Sequence, residues 1–523
     1  MSIRQEIQAI FAQVISDSEP APLEEPKNLD YGDYATNIAL RLAKPLKKAP
    51  KIIAQELVSK LAAQTADFTF AEINGFINIR VSDRKLFQEL AKITPDYGKP
   101  GTDTERSRSV RPQKILLEYV SANPTGPLHI GHGRWAVLGD TLARVLTYCG
   151  QQVTCEFYIN DAGQQIANFV NSVRAVRKNQ PVPADGYHGA YIQELAKLDA
   201  DPAQTMLDWQ KTTLQNIRSE FDSWFSEKTL HESGAVDQAL EILRQKNLLY
   251  TGENEYAGAL VFRSTNFGDD KDRVLIKSSG EKTYFTADIA YHKNKLDRGF
   301  DRLINIWGAD HHGYIARVRA AIEALTGRQD VLQVILGQLV NLFRGGEPVK
   351  MSKRTGEMIT LQEVLEEIGV DAARYFLAAA KPDTALDLDR ELAQKQSNDN
   401  PVYYVPYAHA RICSILRQAV KAQHAAPPRL PPPDKLETAE RTLILKMLRL
   451  PEEIEAIAQN YAIHRLCAYA QELAALFHNF YHECQVISED IQTTTRRLQI
   501  IQAARIVLKI IFDLLGIEAP EKM

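Results

Sequence analysis

Two short motifs more than two hundred positions apart carry residues able to handle a nucleoside triphosphate. The first, His129-Ile130-Gly131-His132, lies within Ser121-Ala-Asn-Pro-Thr-Gly-Pro127-Leu-His-Ile-Gly-His-Gly133. The second, Lys350-Met351-Ser352-Lys353-Arg354, is bracketed by Gly345-Gly346 and Gly356. Adenylation of a carboxylate needs the α-phosphorus of ATP exposed and the charge growing on the departing pyrophosphate neutralised. Histidine N–H donors, backbone amides at a helix N-terminus and lysine ammonium groups can all do this. His129 and His132, at i and i+3, can point from one helical turn toward one site. Gly131 and Gly133 are expected to let the backbone approach the nucleotide, with Pro127 leading in. Lys350 and Lys353 are flexible point charges suited to pyrophosphate, with Met351 and Ser352 between them as further ATP contacts. Alone, the first motif could be a packed turn and the second a solvated basic loop. Together, and in this order, they point to adenylation.

The elements around them predict where they sit. Lys114-Ile-Leu-Leu-Glu-Tyr-Val120 is a short apolar run of buried-strand type, and the histidine motif follows it. Next comes a helix with Trp135, Leu138, Leu142, Val145 and Leu146 on one face, stopped by Gly150, and then a strand from Val153 to Ile159. Strand, glycine-containing turn, helix and strand make a βαβ unit and predict a parallel sheet. Residues 1–105 read as an α+β domain and residues 106–390 as a Rossmann-type core with a helical insertion at about 165–270. Residues 391–523 read as an all-α helical bundle, broken by the proline-rich stretch Ala426 to Pro433.

Composition narrows the class. Apolar residues make up 45% and charged residues 24%, as in an ordinary globular protein, and no apolar run is long enough to span a membrane. The reading is a cytoplasmic protein. Five cysteines without a C-x-x-C pair predict reduced, buried thiols and no zinc. A net charge of −4 excludes a general nucleic-acid coat protein, yet Arg41, Lys44, Lys47, Lys48 and Lys51 form a local basic patch.

The two motifs resemble the H-I-G-H and K-M-S-K signatures of class I aminoacyl-tRNA synthetases. Over essentially the whole chain the context is similar to the arginyl-tRNA synthetase family. The stretches that carry this are Tyr31-Gly-Asp-Tyr-Ala-Thr-Asn37, Asn74-Gly-Phe-Ile-Asn78, Leu117-Glu-Tyr-Val-Ser-Ala-Asn-Pro-Thr-Gly126, Tyr158-Ile-Asn-Asp-Ala-Gly163, Trp307-Gly-Ala-Asp-His-His-Gly313, Asp399-Asn-Pro-Val-Tyr-Tyr404 and Tyr407-Ala-His-Ala-Arg411. The resemblance implies arginine, ATP with Mg2+ and tRNA(Arg) as substrates, a monomer, attack by the 2′-hydroxyl, and bound tRNA as a requirement for the first step. It also implies that Glu118, Ser121 and Asn123 belong to the amino-acid pocket, and that Phe76 and Asn78 touch a tRNA loop, although Phe76 could equally be a buried strand residue.

A guanidinium is a planar, permanently charged fork that carboxylates and hydroxyls should meet. Tyr284 and Asp288, at i and i+4 on a predicted helix, can face one way and hold it; the alternative is a solvated or capping acid beside a core tyrosine. Asp310-His311-His312 has no third ligand at metal spacing and predicts contact with nucleotide or amino acid, with His312 preferred over His311. Tyr404, Tyr407 and Arg411 could stack unpaired anticodon bases, though aromatics at helical spacing are more often core.

Overall fold

The computed structural model describes residues 2–15, 20–26, 28–100, 111–348, 359–397, 399–421 and 432–523. Five parallel strands form the central sheet: β1 (Lys114–Glu118), β2 (Gln152–Ile159), β3 (Ser223–Ser226), β4 (Arg302–Gly308) and β5 (Leu332–Gly337). Their order is β5-β4-β1-β2-β3, so the winding reverses between β1 and β4. In an open α/β sheet a ligand crevice forms at such a reversal, beyond the carboxyl ends of the strands. Covering helices explain the apolar run in β1, where Ile115, Leu116 and Leu117 are all buried.

Helix α1 (Ile130–Tyr148) follows β1 and carries the histidine motif at its start. It lies close to the chain beyond β1 because Gly139 has no side chain: a Cβ there would stand 2.3 Å from the Tyr119 ring. Helix α2 (Tyr284–Asp297) precedes β4, and helix α3 (Ile315–Thr326) follows it. Val340–Arg344, after β5, pairs in parallel with Leu386–Asp389.

The span expected to be a helical insertion is mixed. Helices Gln164–Arg177, Ala190–Ala196 and Pro202–Asn216 share a small core around Phe169, Val173, Ile192, Leu195 and Met206. The same span contains β3, an edge strand of the central sheet, and two strands of a separate antiparallel sheet, Leu249–Thr251 and Leu260–Phe262. Short strands leave too little alternation to register against the surrounding helical pattern. Beyond the lysine segment, Leu361–Ile368 and Val370–Ala379 are two helices separated by Gly369 at φ 81°.

The N-terminal unit carries an antiparallel sheet in which Phe76–Val81 is the middle strand, with an Asn74-Gly75 hairpin at positive φ on both residues. The C-terminal unit is helical, from Pro401–Lys421 to Ile491–Leu515. Arg441 bonds Asp33 and Asp83 of the N-terminal unit, and Arg449 donates to the Asp33 carbonyl at 2.7 Å. Arg374, fully buried, bonds Asp140 on α1 and the carbonyls of Leu515 and Ile217 at 2.7 Å each. No helix among the described residues is long and apolar enough to cross a membrane.

Candidate active site

A cleft of about 580 Å³ opens at the reversal between β1 and β4. Glu118 and the chain after it, up to Asn123, form one wall. Asn305 to Gly308 and the 3-10 turn Ala309–Tyr314 form the other, and α2 contributes Tyr284, Asp288, Tyr291 and His292. His132 and Trp135 on α1 close one end.

At that end His129 caps α1. Its Nδ1 accepts from the Gly131 N–H at 3.1 Å, and the His132 Nδ1 accepts from the His129 N–H at 3.3 Å. The two rings stack with centroids 3.8 Å apart. With both Nδ1 atoms used as acceptors of backbone N–H, each neutral ring carries its proton on Nε2, the form that donates to a phosphate oxygen. Trp135 lies against Gly308 and Gly337 at the ends of β4 and β5, where a Cβ on Gly337 would stand 2.3 Å from the indole nitrogen.

The glycines of the motif serve packing. A Cβ on Gly133 would be 2.5 Å from Leu361 Cδ1, and one on Gly131 would be 3.0 Å from the His129 ring. Leu361 opens the helix that follows the lysine segment, and its N–H donates to Leu128 O at 2.7 Å. Gly133 thus admits a protein neighbour, Leu361, on its Cβ side. Pro127 leads into this turn without lining the cleft. Lys350, Met351, Ser352 and Lys353 lie outside the described residues.

The opposite end is acidic. Glu118, 7% exposed, is bonded by the fully buried Lys295 ammonium, and its Oε1 accepts from Ser121 Oγ at 3.1 Å. Ser121 is held in turn, since its Oγ accepts from the Tyr158 N–H at 3.1 Å. Glu227, at the end of β3, accepts from the Tyr158 hydroxyl at 2.7 Å, and Asp288 accepts from the Tyr314 hydroxyl. Burial raises the Asp288 carboxyl to about 7; the charges of Glu118 and Glu227 push the same way, and Tyr314 and Lys295 oppose them. His292 bonds the Asp288 carbonyl at 2.8 Å and the Asn305 side chain at 3.1 Å, and burial, helped by Lys295, lowers it to about 3. Of these three carboxyl groups only Glu118 bonds the Lys295 ammonium, so this end carries surplus negative charge that grows as Asp288 ionises above about 7, which favours a cationic ligand.

The cleft brings together Glu118, Ser121, Asn123, His132, Tyr284, Asp288, Asp310 and His311. Tyr284 is 70% exposed at the mouth, so Asp288 takes its hydroxyl partner from Tyr314 instead. Of the two histidines His311 lines the cleft and His312, also exposed on the 3-10 turn, does not, whereas the sequence preferred His312. Sequence reasoning misses Glu227, Tyr158, Lys295 and Tyr314. Of these, Lys295 left a signal: Asp288, Tyr291, His292 and Lys295 form a polar stripe on α2.

Three family models cover the chain in order: an arginyl tRNA synthetase N-terminal domain over residues 1–81, the catalytic domain of class I (R) tRNA synthetases over 102–201 and 190–408, and a DALR anticodon-binding domain over 405–523. The arginine–tRNA ligase of Desulforamulus reducens is 44% identical, across 96% of this chain and 93% of that protein. That of Bacillus licheniformis is 42% identical across all of this chain and 98% of its own. The chain belongs to the arginyl-tRNA synthetase family. The Thermus thermophilus arginyl-tRNA synthetase structure shares its fold, with a TM-score of 0.82 at 22% identity over the full length of both chains.

In family terms the cleft is in the class I catalytic domain, whose substrate is ATP. The remaining candidates lie on the N-terminal sheet and on the helix Pro401–Lys421. Phe76 and Asn78 share one face of the N-terminal middle strand; Phe76 is half-buried and Asn78 is 8% exposed. On the helix Pro401–Lys421, half-buried Tyr404 and Tyr407 pack on His478 with centroids 4.8 and 5.8 Å apart, and Arg411 bonds the Tyr481 hydroxyl at 2.5 Å.

Proposed function

We propose that the chain activates L-arginine with ATP and passes the arginyl group to the terminal adenosine of tRNA(Arg). The observation that carries this is the acidic wall facing the histidine turn across one cleft, which suits a guanidinium at one end and phosphates at the other. Asp288, Glu118 and Glu227 meet the charged groups of arginine, with Tyr284, Tyr314, Ser121 and Asn123 supplying neutral hydrogen bonds. His129 and His132 donate to the phosphates, with Asp310 and His311 at the nucleotide side. Lys350 and Lys353, with Met351 and Ser352, take the pyrophosphate. Magnesium enters with ATP as part of the substrate.

In the first step a carboxylate oxygen of arginine attacks the α-phosphorus, and the bond to pyrophosphate breaks. In the second a ribose hydroxyl of the terminal adenosine attacks the carbonyl carbon and AMP leaves. No protein nucleophile is needed, because positioning and electrostatics lower both barriers. Phe76 and Asn78 on one flank, and Tyr404, Tyr407 and Arg411 on the other, contact the tRNA, where half-buried aromatics beside an arginine suit unpaired bases. The reading includes a cytoplasmic monomer, which sedimentation of the purified chain checks for the oligomeric state.

ATP–pyrophosphate exchange measured with each amino acid in turn, with and without tRNA, tests the proposal. Exchange with arginine alone is expected. Exchange with another amino acid and none with arginine would overturn the specificity.

A further inference from the structure

The helical part of the insertion reaches the loop Asn123–Gly126 with side chains that the proposed chemistry does not use. Gln210, on Pro202–Asn216, is 1% exposed, and its Nε2 donates to the carbonyls of Asn123 at 3.0 Å and Gly126 at 2.8 Å. Tyr191, on Ala190–Ala196, donates its hydroxyl to the Thr125 carbonyl at 3.2 Å. Gln165, on Gln164–Arg177, accepts from the Asn123 side-chain amide at 2.6 Å. Three of the loop's four carbonyls are therefore held by side chains of the insertion. Within the loop, Thr125 N–H to Asn123 O at 2.8 Å is the internal bond, and Pro124 has no N–H to offer.

Gln210 is costly where it stands. Its Oε1 is buried with no hydrogen-bond partner among the described residues. An apolar side chain of similar size would fill the space without an orphaned acceptor, so packing alone gives no reason for an amide. The two donated bonds do. The loop they fix carries Asn123 at the amino-acid end of the cleft and runs through Pro127 and Leu128 into His129 at the other. The same helix also bonds forward, Asn216 Nδ2 to Gln362 Oε1 at 2.9 Å, on the helix that packs against Gly133.

We propose that Gln210 is a positioning residue for adenylation, holding the Asn123–Gly126 loop so that the amino acid and the nucleotide meet in register, with Tyr191 as its assistant. The inference rests on the reading of the cleft as the arginine and ATP site. Misplacing a reacting group by about 1 Å can cost on the order of a hundredfold in rate.

The test uses the full chain with tRNA(Arg) present, with wild type, Gln210→Leu, Gln210→Glu and Tyr191→Phe compared in arginine-dependent pyrophosphate exchange normalised to titrated active sites. A wild type inactive with arginine overturns the reading of the cleft, and this inference with it. With an active wild type, both Gln210 variants are expected to lower per-site kcat and raise the arginine KM. Their kcat/KM should fall by roughly 30-fold or more, Gln210→Glu most because it turns acceptors toward carbonyls. The tRNA KM should stay within about threefold, since the loop does not reach the flanking domains. A purely structural role would lower the titrated fraction and the thermal midpoint while leaving per-site kcat and arginine KM at wild-type values, and that result overturns the proposal. Should neither Gln210 variant fold, Tyr191→Phe decides: an arginine KM raised about threefold at an unchanged midpoint supports it, and an unchanged KM overturns it.

Discussion

The two ends of the cleft hold their side chains by different means. At the acidic end each carboxylate is met by a side-chain donor: Lys295 and Ser121 on Glu118, Tyr158 on Glu227, Tyr314 on Asp288. At the histidine end, position comes from the backbone and from missing side chains. His129 and His132 accept main-chain N–H groups, Gly133 admits Leu361, and Gly308 and Gly337 admit Trp135. One end is a store of charge that a cationic ligand completes. The other is set by packing and by main-chain hydrogen bonds. Damage at the first should therefore register in amino-acid binding, and damage at the second in the rate of chemistry.

The largest expected effect comes from breaking the charged end. Asp288→Asn removes one carboxylate with little change in shape, and the loss of a buried charged contact costs about 2–5 kcal/mol, or roughly 30- to several thousandfold in kcat/KM for arginine. The ATP KM should stay within about threefold, because the phosphates meet the other end. Exchange kinetics with each substrate varied in turn measures both. A parallel rise in the ATP KM would mean that the ends are not separable.

Next in size is the histidine end. His132→Ala removes one Nε2 donor aimed at developing charge, and losses of about a hundredfold or more in kcat follow the removal of such donors. The arginine KM should hardly move. Equal losses in kcat and arginine affinity would break the division between binding and rate.

Packing at that end can be tested without touching a polar atom. Gly133→Ala puts a methyl 2.5 Å from Leu361 Cδ1, and overpacking of this kind typically costs about 1–3 kcal/mol. Denaturant unfolding should show that loss, with a smaller fall in kcat. Leu361→Ala, made in the same chain, should restore part of both. If the two substitutions are additive, Gly133 is not there for Leu361.

These residues differ in how far the sequence shows them. His129 and His132 are legible because i and i+3 at a helix start is a local relation, and the βαβ unit around them is patterned by period. Glu227 is not, since it directly follows a four-residue strand inside a helix-patterned span, and parallel pairing of Ser223–Ser226 with β2 is what brings it to the cleft. Tyr314 follows directly on the glycine of a stretch whose histidines draw the eye, but its aim at Asp288 depends on the 3-10 turn. Gly133 is legible only in part, for another reason. A missing Cβ makes room for a ligand or for Leu361 equally well, and sequence alone does not say which neighbour arrives.

The smallest effect is the sharpest in sign. Asp288 titrates at about 7, against an ordinary 3.8, so arginine meets its ionised form mainly above neutrality. kcat/KM reports the free enzyme and should fall as pH drops through about 7, while kcat, reporting a carboxylate already facing a guanidinium, stays flat to lower pH. Folding runs the other way. Between 3.8 and about 7 the native state holds a proton that the unfolded chain has released, so this group's contribution to stability declines as pH rises through that window and levels off above it. Tyr314 donates to Asp288 and favours the ionised form, so Tyr314→Phe should raise the carboxyl further. The acid arm of kcat/KM then moves to higher pH, and arginine kcat/KM at pH 8 drops by about 3- to 10-fold, the worth of one hydrogen bond. An arm that stays in place, or moves to lower pH, would remove Tyr314 from the acidic end and leave Asp288 held by burial and by its charged neighbours alone.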